Sequence, residues 1–159
     1  FFKIIILGDI IKEETINVIN FLNSFNGKIK KNVVFYLKPH PATKINLNKY
    51  KNLSIKITNK DIQELIYDTD LIFSSPMTSA SVEFYFSGIN IAYLLYGKNF
   101  NLSPIRNFNG IHLITKESDF IDLVENFQSQ KINRTEINDY FYYDKNLKRW
   151  GEFILKNVK

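Results

Sequence analysis

Apolar runs alternate with segments of helical periodicity along this chain, and the alternation predicts its elements and their order. Short apolar runs bounded by Gly, Pro, Asn or charged residues predict six strands, at 3–7, 32–37, 53–57, 71–73, 90–95 and 111–114. Apolar residues at helical spacing predict helices at 12–25, 61–67, in the segment that ends at Gly88, at 117–127 and at about 137–157. Strands that alternate with helices favour a parallel sheet covered on both faces. The sequence therefore predicts an α/β, Rossmann-like three-layer αβα sandwich with a mainly parallel six-stranded sheet.

Three polar clusters directly follow predicted strands. Gly8 and Asp9 follow the first strand, residues 38–41 follow the second, and a hydroxyl-rich turn at 74–79 follows the fourth. In sheets of this kind ligands bind outside the carboxyl ends of the strands. We therefore expect the three clusters to share one edge of the sheet and to form a binding site there.

His40 is the residue with the clearest chemical potential, because Pro39 and Pro41 flank it and stiffen its turn. Imidazole titrates near neutral pH, so His40 could donate a proton or a hydrogen bond to a departing phosphate. A structural turn with an exposed imidazole is the alternative. Lys38, beside it, either adds positive charge to the site or is simply solvated.

The turn after the fourth strand carries four hydroxyl residues, Ser74, Ser75, Thr78 and Ser79. Hydroxyl side chains before a helix can cap it, and they can also donate hydrogen bonds to a phosphate at its first turn. Glu83 lies about one helical turn after Ser79 on nearly the same face, where a carboxylate could accept hydrogen bonds from a ribose. A Ser-rich helix cap with a solvated Glu is the alternative interpretation.

Other candidate residues are weaker. Asp9 either binds a hydroxyl or caps the helix that follows, with Gly8 forming the strand-to-helix turn. Arg106, in an irregular stretch at 96–110, could approach a phosphate or be a solvated loop residue. His112 lies in an apolar strand, so we expect it to be structural. For the C-terminal aromatic residues, Trp150 among them, core or domain-docking roles are favoured over stacking on a sugar or base.

Composition excludes several classes of site. The chain has no Cys and only two His, which removes disulfides, thiolate nucleophiles and a His-rich metal cluster. It contains no dinucleotide-binding Gly fingerprint, no P-loop and no nucleophile elbow. The net charge of +5 is modest and spread along the chain, whereas nucleic-acid binding usually requires a sharper basic stripe. Attraction to phosphate-bearing ligands or to an anionic membrane face fits this charge about as well.

The Lys38–Pro41 motif, followed by the Ser74–Glu83 motif, resembles the C-terminal, donor-binding half of GT-B glycosyltransferases. More narrowly, the pair is similar to bacterial surface-polysaccharide enzymes: CMP-sugar sialyltransferases, polysialyltransferases, capsule Kdo-transferases and CDP-glycerol glycerophosphotransferases. The resemblance covers about residues 33–95. It implies that His40 assists the leaving phosphate while the prolines and lysine of its motif shape the nucleotide site. It also implies that the four hydroxyl residues bind phosphate and that Glu83 contacts the ribose.

The resemblance further implies what the protein acts on. The donor would be a nucleotide-sugar, with CMP favoured over UDP, and the acceptor a carbohydrate or lipid-linked sugar. No metal ion or other cofactor is expected, and no nucleic acid partner. The enzyme would be cytoplasmic and could contact the inner face of the plasma membrane.

The acidic motif that carries the catalytic base in the N-terminal domain of sialyltransferases is absent from this chain. The chain also begins inside an apolar run and without Met. No internal repeat or linker divides it. We therefore expect residues 1–159 to be a single domain of a two-domain enzyme, which binds the donor but transfers little or nothing alone.

Three alternatives remain open at this point. A nucleotide-sugar epimerase or a CDP-glycerol glycerophosphotransferase could use the same scaffold. The chain could also be a phosphate-ligand binding or assembly module without enzymatic activity. A receiver-like signalling domain is poorly supported, because such a domain requires paired acidic residues after the first strand and only Asp9 is present there.

Overall fold

A computed structural model describes residues 1–97, 100–128 and 147–157. Its strands are β1 (Phe2–Leu7), β2 (Val33–Lys38), β3 (Ile55–Ile57), β4 (Leu71–Ser74), β5 (Asn90–Leu94) and β6 (Ile111–Ile114). Its α-helices are α1 (Lys12–Ser24), α2 (Ile62–Ile66), α3 (Ala80–Phe86), α4 (Glu117–Glu125) and α5 (Lys148–Asn157). A 3₁₀ helix at Leu47–Tyr50, which periodicity does not reveal, precedes β3.

The six strands form one parallel sheet in the order β3-β2-β1-β4-β5-β6. From β1 the chain continues to β2 and β3 on one side of the sheet, and from β4 it continues to β5 and β6 on the other side. The loops that follow these two neighbouring strands therefore diverge, and the crevice between them is the topological switch point at which such sheets bind ligands. The α/β class and the parallel sheet are as predicted.

Burial follows from this strand order. Ile4, Ile5 and Ile6 of the central strand β1 are fully buried, because helices cover both of its faces. The apolar run at 32–37 is typical of a buried strand, but in β2 only Leu37 is buried and the side chains before it are half-exposed. β2 lies one position from the sheet edge, and the edge strand β3 is short and leaves Ile57 exposed.

Two apolar clusters hold the layers together. Helices α1 and α4 pack on one face of the sheet, where the rings of Phe21, Phe73 and Phe120 lie with centroids 4.5–6.2 Å apart. Helices α2 and α3 pack on the other face through Leu65 and Phe84. The three-layer arrangement is thereby confirmed.

The last helix is only partly described. Of the predicted helix at about 137–157, α5 covers 148–157, and residues 137–146 lie outside the described residues. Trp150, Phe153 and Ile154 share one side of α5 and are 63%, 60% and 51% exposed. A core role for Trp150 is therefore wrong, while a docking role is untested. Within the described ranges, no helix is long and apolar enough to cross a bilayer.

Candidate functional site

Asp9 connects the two loops that the sequence singles out. We call residues 39–43 the His-Pro loop and residues 75–79 the serine loop. Asp9 is 2% exposed at the carboxyl end of β1. Its Oδ2 accepts a hydrogen bond of 2.8 Å from the Thr78 hydroxyl in the serine loop. Its carbonyl oxygen lies 3.3 Å from the Thr43 hydroxyl in the His-Pro loop, which shares its one proton between this oxygen and the carbonyl oxygen of His40, also at 3.3 Å. One buried residue thus ties both loops to the same edge of the sheet.

The remaining contacts of Asp9 fix the start of α1. Its Oδ1 accepts from the amide of Ile11 at 2.9 Å, and its own amide donates to the Thr15 hydroxyl at 2.8 Å. Asp9 therefore satisfies an amide at the start of α1, while its binding of a ligand hydroxyl stays a prediction, because the hydroxyl bonded here is that of Thr78. The hydroxyl belongs to the protein, and its partner lies 69 residues away in sequence, so no local pattern points to the contact.

Gly8 allows the His-Pro loop to pack directly against β1. Its amide donates to the carbonyl oxygen of Lys38 at 2.8 Å. A Cβ atom at position 8 would lie 2.6 Å from the amide nitrogen of His40 and 3.0 Å from the Cα of Pro39. No side chain fits at that separation, so the close approach of the two strand ends requires glycine.

The His40 ring has a defined orientation. Its Nδ1 accepts a hydrogen bond of 3.1 Å from the amide of Ala42. In the neutral ring the proton therefore resides on Nε2, which has no protein partner within the described residues. The side chain is half-buried, between a half-buried Pro39 and an exposed Pro41. His40 can thus donate a hydrogen bond from Nε2 to a ligand at this edge.

The two cationic candidates are both restrained by backbone carbonyls. The Lys38 ammonium donates to the carbonyl oxygen of Lys60, in the loop after β3, at 2.7 Å. The exposed Arg106 donates from Nη1 to the carbonyl oxygen of Ser103 at 3.2 Å. Lys38 ends β2, so its charge lies at the carboxyl edge of the sheet, whereas Arg106 lies in the loop that returns from β5 to β6.

Three of the four candidate hydroxyls are engaged within the protein. Ser74 is fully buried and its Oγ donates to the carbonyl oxygen of Ser75 at 3.1 Å. The Ser75 Oγ in turn accepts from the amide of Met77 at 3.1 Å, and the Thr78 hydroxyl donates to Asp9. These hydroxyls shape and anchor the serine loop. Ser74 and Thr78 would have to give up the bonds that they donate in order to donate to a phosphate, and the Ser75 hydroxyl, which only accepts, is buried.

Ser79 differs from the other three. It is exposed, its side chain does not cap α3, and neither its hydroxyl nor its amide has a partner within the described part of the chain. The carboxylate of Glu83, also exposed, lies one turn further along the same side of the helix. Ser79 is therefore the hydroxyl that the site leaves available to a ligand.

A buried hydroxyl cluster behind the serine loop escaped the sequence analysis. The Tyr93 hydroxyl lies 2.8 Å from the Ser81 Oγ and 2.9 Å from the Ser103 Oγ. Burial raises the pKa of Tyr93 above its usual value, against the opposing effect of these two hydrogen bonds, so the phenol stays protonated at neutral pH. The hydroxyl residues are far apart in sequence and conform to no motif.

His112 is remote from these loops in the strand order. It lies in β6, half-buried, with Nε2 3.5 Å from Oδ1 of Asn90 on the neighbouring strand. Burial lowers its pKa, which keeps the ring neutral at physiological pH. These surroundings agree with the structural role expected from the sequence.

Comparisons with known proteins add to the fold. No protein-family model matches the chain, and no curated protein matches it. A crystal structure of the glycotransferase of kitacinnamycin is similar over 99% of this chain, with a TM-score of 0.59 and 10% sequence identity. The match covers 43% of that protein, so this chain spans less than half of its length. At this identity the likeness concerns the fold: the chain has a Rossmann-like fold similar to part of a glycosyltransferase.

Proposed function

We propose that this chain is the donor-nucleotide-binding domain of a glycosyltransferase that uses a CMP-sugar in bacterial surface-polysaccharide synthesis. The observation that carries the proposal is the double attachment of Asp9, which joins the His-Pro loop and the serine loop at the switch point of the sheet. The fold, similar to part of a glycosyltransferase, supports it. The CMP-sugar and the polysaccharide product come from the resemblance of the two motifs.

The site is suited to an anion. Nε2 of His40 and the hydroxyl and amide of Ser79 are hydrogen-bond donors without partners in the described chain. Lys38 adds a positive charge at the same edge. Hydrogen bonds to a charged acceptor contribute about 1.5–3 kcal/mol each, which is enough for a few such donors to hold a nucleotide phosphate. The Glu83 carboxylate is placed to accept from ribose hydroxyls near that phosphate.

Transfer would proceed as an inverting displacement. An acceptor hydroxyl oxygen forms a bond to the anomeric carbon while the bond from that carbon to the phosphate oxygen breaks, and the electron pair stays on the phosphate. Nε2–H of His40 donates to that phosphate as its charge grows, and Ser79 supports it from the serine loop. The base that takes the acceptor proton would belong to the other domain of the enzyme.

Calorimetric titration with CMP, CDP, UDP and AMP tests the proposal. We expect CMP to bind more tightly than UDP, and His40→Gln to weaken CMP binding about tenfold, the equivalent of one charge-assisted hydrogen bond. His112→Gln is the matched control, since it removes the other imidazole of the chain and should leave CMP affinity unchanged. Absence of binding at millimolar nucleotide would contradict the proposal, as would equal losses in the two variants.

The same titration separates the rival functions. A preference for UDP would favour a nucleotide-sugar epimerase, and a preference for CDP would favour a CDP-glycerol glycerophosphotransferase. Failure to bind any nucleotide, together with capture of a protein partner, would favour an assembly module.

A further inference from the structure

A line of buried hydrogen bonds runs from the loop after β5 to the serine loop. The amide of Ile105 donates to the Ser103 Oγ at 3.3 Å, and the Ser103 hydroxyl donates to the Tyr93 oxygen at 2.9 Å. The Tyr93 hydroxyl lies 2.8 Å from the Ser81 Oγ, and the Ser81 hydroxyl donates to the carbonyl oxygen of Thr78 at 2.6 Å. The side chains of Tyr93, Ser81 and Ser103 are all at most 1% exposed.

The direction of these hydrogen bonds is settled by counting protons. A hydroxyl group has one proton to donate. Because Ser81 donates its proton to the Thr78 carbonyl, it must accept from Tyr93, and Tyr93 accepts from Ser103. All bonds in the line therefore point the same way, toward Thr78, and bonds aligned in this manner strengthen one another.

The line holds Thr78 from a second side. Its hydroxyl already donates to Asp9, and its carbonyl oxygen now accepts from Ser81. Thr78 directly precedes Ser79, so the same contacts that hold Thr78 set the position of the Ser79 amide and hydroxyl. Phe at position 93 would fill the same apolar space without needing partners, and buried hydroxyls are costly unless fully bonded. The contribution of the Tyr93 hydroxyl is therefore to hold Ser81 and Ser103 in position.

We propose that Tyr93 is a positioning residue that joins residues 101–106 to the serine loop and holds Ser79 ready for an anion. The two segments then form one wall of the site, and Arg106, bonded to the Ser103 carbonyl, is carried on it. The effect of Tyr93 on ligand binding rests on the proposed function. The link between residues 101–106 and the serine loop does not, because its hydrogen bonds are present in the protein without a ligand.

Amide hydrogen exchange of the free protein tests the joining. In Tyr93→Phe we expect faster exchange in both 75–81 and 101–106. Tyr85→Phe is the matched control, since it also removes one hydroxyl from a buried ring, whose bond goes to the Asn109 carbonyl instead. It should leave exchange at 75–81 unchanged. Ser81→Ala leaves the Tyr93 side chain unchanged and should also give faster exchange at 75–81. This result would show that the faster exchange in Tyr93→Phe comes from the broken line of hydrogen bonds and not from a general loosening of the core.

An increase confined to 101–106 in Tyr93→Phe would overturn the inference, and so would the same increase at 75–81 in Tyr85→Phe. Titration with CMP provides the second readout. Loss of one buried hydrogen bond should weaken CMP binding about fivefold in Tyr93→Phe and leave Tyr85→Phe unchanged. If the unmodified chain binds no CMP, the proposed function fails and exchange still decides the role of Tyr93. If CMP binds and Tyr93→Phe matches the unmodified chain in both readouts, this inference alone fails.

Discussion

Replacement of Gly8 by Ala is the sharpest steric perturbation that the site offers. The added Cβ would lie 2.6 Å from the His40 amide nitrogen, 3.0 Å from the Pro39 Cα and 3.1 Å from the Pro39 carbonyl carbon. All three atoms belong to the backbone, so no side chain can rotate out of the way. The φ angle of Gly8 lies outside the left-handed region, and the effect of the substitution is therefore purely steric.

The magnitude follows from these distances. An ordinary contact begins at 3.4 Å, so the His-Pro loop and the end of β1 must separate by about 0.8 Å. Overpacking of this kind costs about 1–3 kcal/mol, and a chain of this length loses about 2–4 °C in Tm for each kcal/mol. The displaced His40 would lose the hydrogen bond proposed between it and the nucleotide, which corresponds to a loss of about tenfold or more in CMP affinity.

Thermal unfolding followed by circular dichroism, together with calorimetric titration of CMP, measures both effects. Gly151→Ala is the matched control, because a Cβ there meets nothing within 4 Å. That substitution lies in a helix, where Ala is favoured over Gly by about 1 kcal/mol, so Tm should hold or rise. A Gly8→Ala protein that melts and binds CMP like the unmodified chain would refute the packing argument.

Three further predictions concern single side chains. Asp9→Asn keeps the size of the side chain but removes its charge, and it should lower the free energy of unfolding in urea by about 1.5–3 kcal/mol. Asp122→Asn, at an exposed position, is the control and should change that free energy little. Equal effects of the two substitutions would contradict the anchoring role of Asp9. Ser79→Ala should leave stability unchanged and weaken CMP binding about tenfold. Ser118→Ala is the control and should change neither stability nor CMP affinity. Unaltered CMP affinity in Ser79→Ala would show that Ser79 is not part of the site. Burial lowers the pKa of His112, so below about pH 6.5 the unfolded chain binds more protons than the folded chain and the free energy of unfolding falls. His112→Gln should make the free energy of unfolding less dependent on pH between about pH 7 and 5, and the same pH dependence in the variant and the unmodified chain would contradict this.

The elements of the fold could be predicted because their signals are local. The isoleucines of β1 and the apolar residues of β5 form short runs that are typical of buried strands. Regular alternation with helices then required a parallel sheet, and the carboxyl ends of parallel strands converge at one edge. The common placement of residues 8–9, the His-Pro loop and the serine loop follows from that topology alone.

Strand order and long-range contacts could not be predicted in this way. β2 has the apolar composition of a buried strand, and its half-exposure comes from its place beside the edge strand β3. The contact between Asp9 and Thr78 joins the loops that follow β1 and β4, two strands whose adjacency no periodicity encodes. The Tyr93 hydroxyl likewise acquires its partners only when the loop after β5 folds over α3.

The hydroxyl motif shows the limit of motif reasoning at the site. Ser75, Thr78 and Ser79 are equivalent in sequence as donors to a phosphate. In the folded chain Ser75 forms the turn, Thr78 anchors it to Asp9, and Ser79 faces outward. A pattern that binds a ligand and a pattern that braces a loop use the same residue types, and only the three-dimensional contacts separate them.

We propose that the His-Pro loop and the serine loop form one nucleotide-binding edge. Titration of the isotopically labelled chain with CMP, followed by two-dimensional amide NMR, tests it most directly. We expect saturable shifts at Gly8, in the amides of the His-Pro loop and at residues 77–80, all with one dissociation constant. Saturable shifts confined to one of the two loops, or to the β6 and α4 side of the sheet, would contradict it.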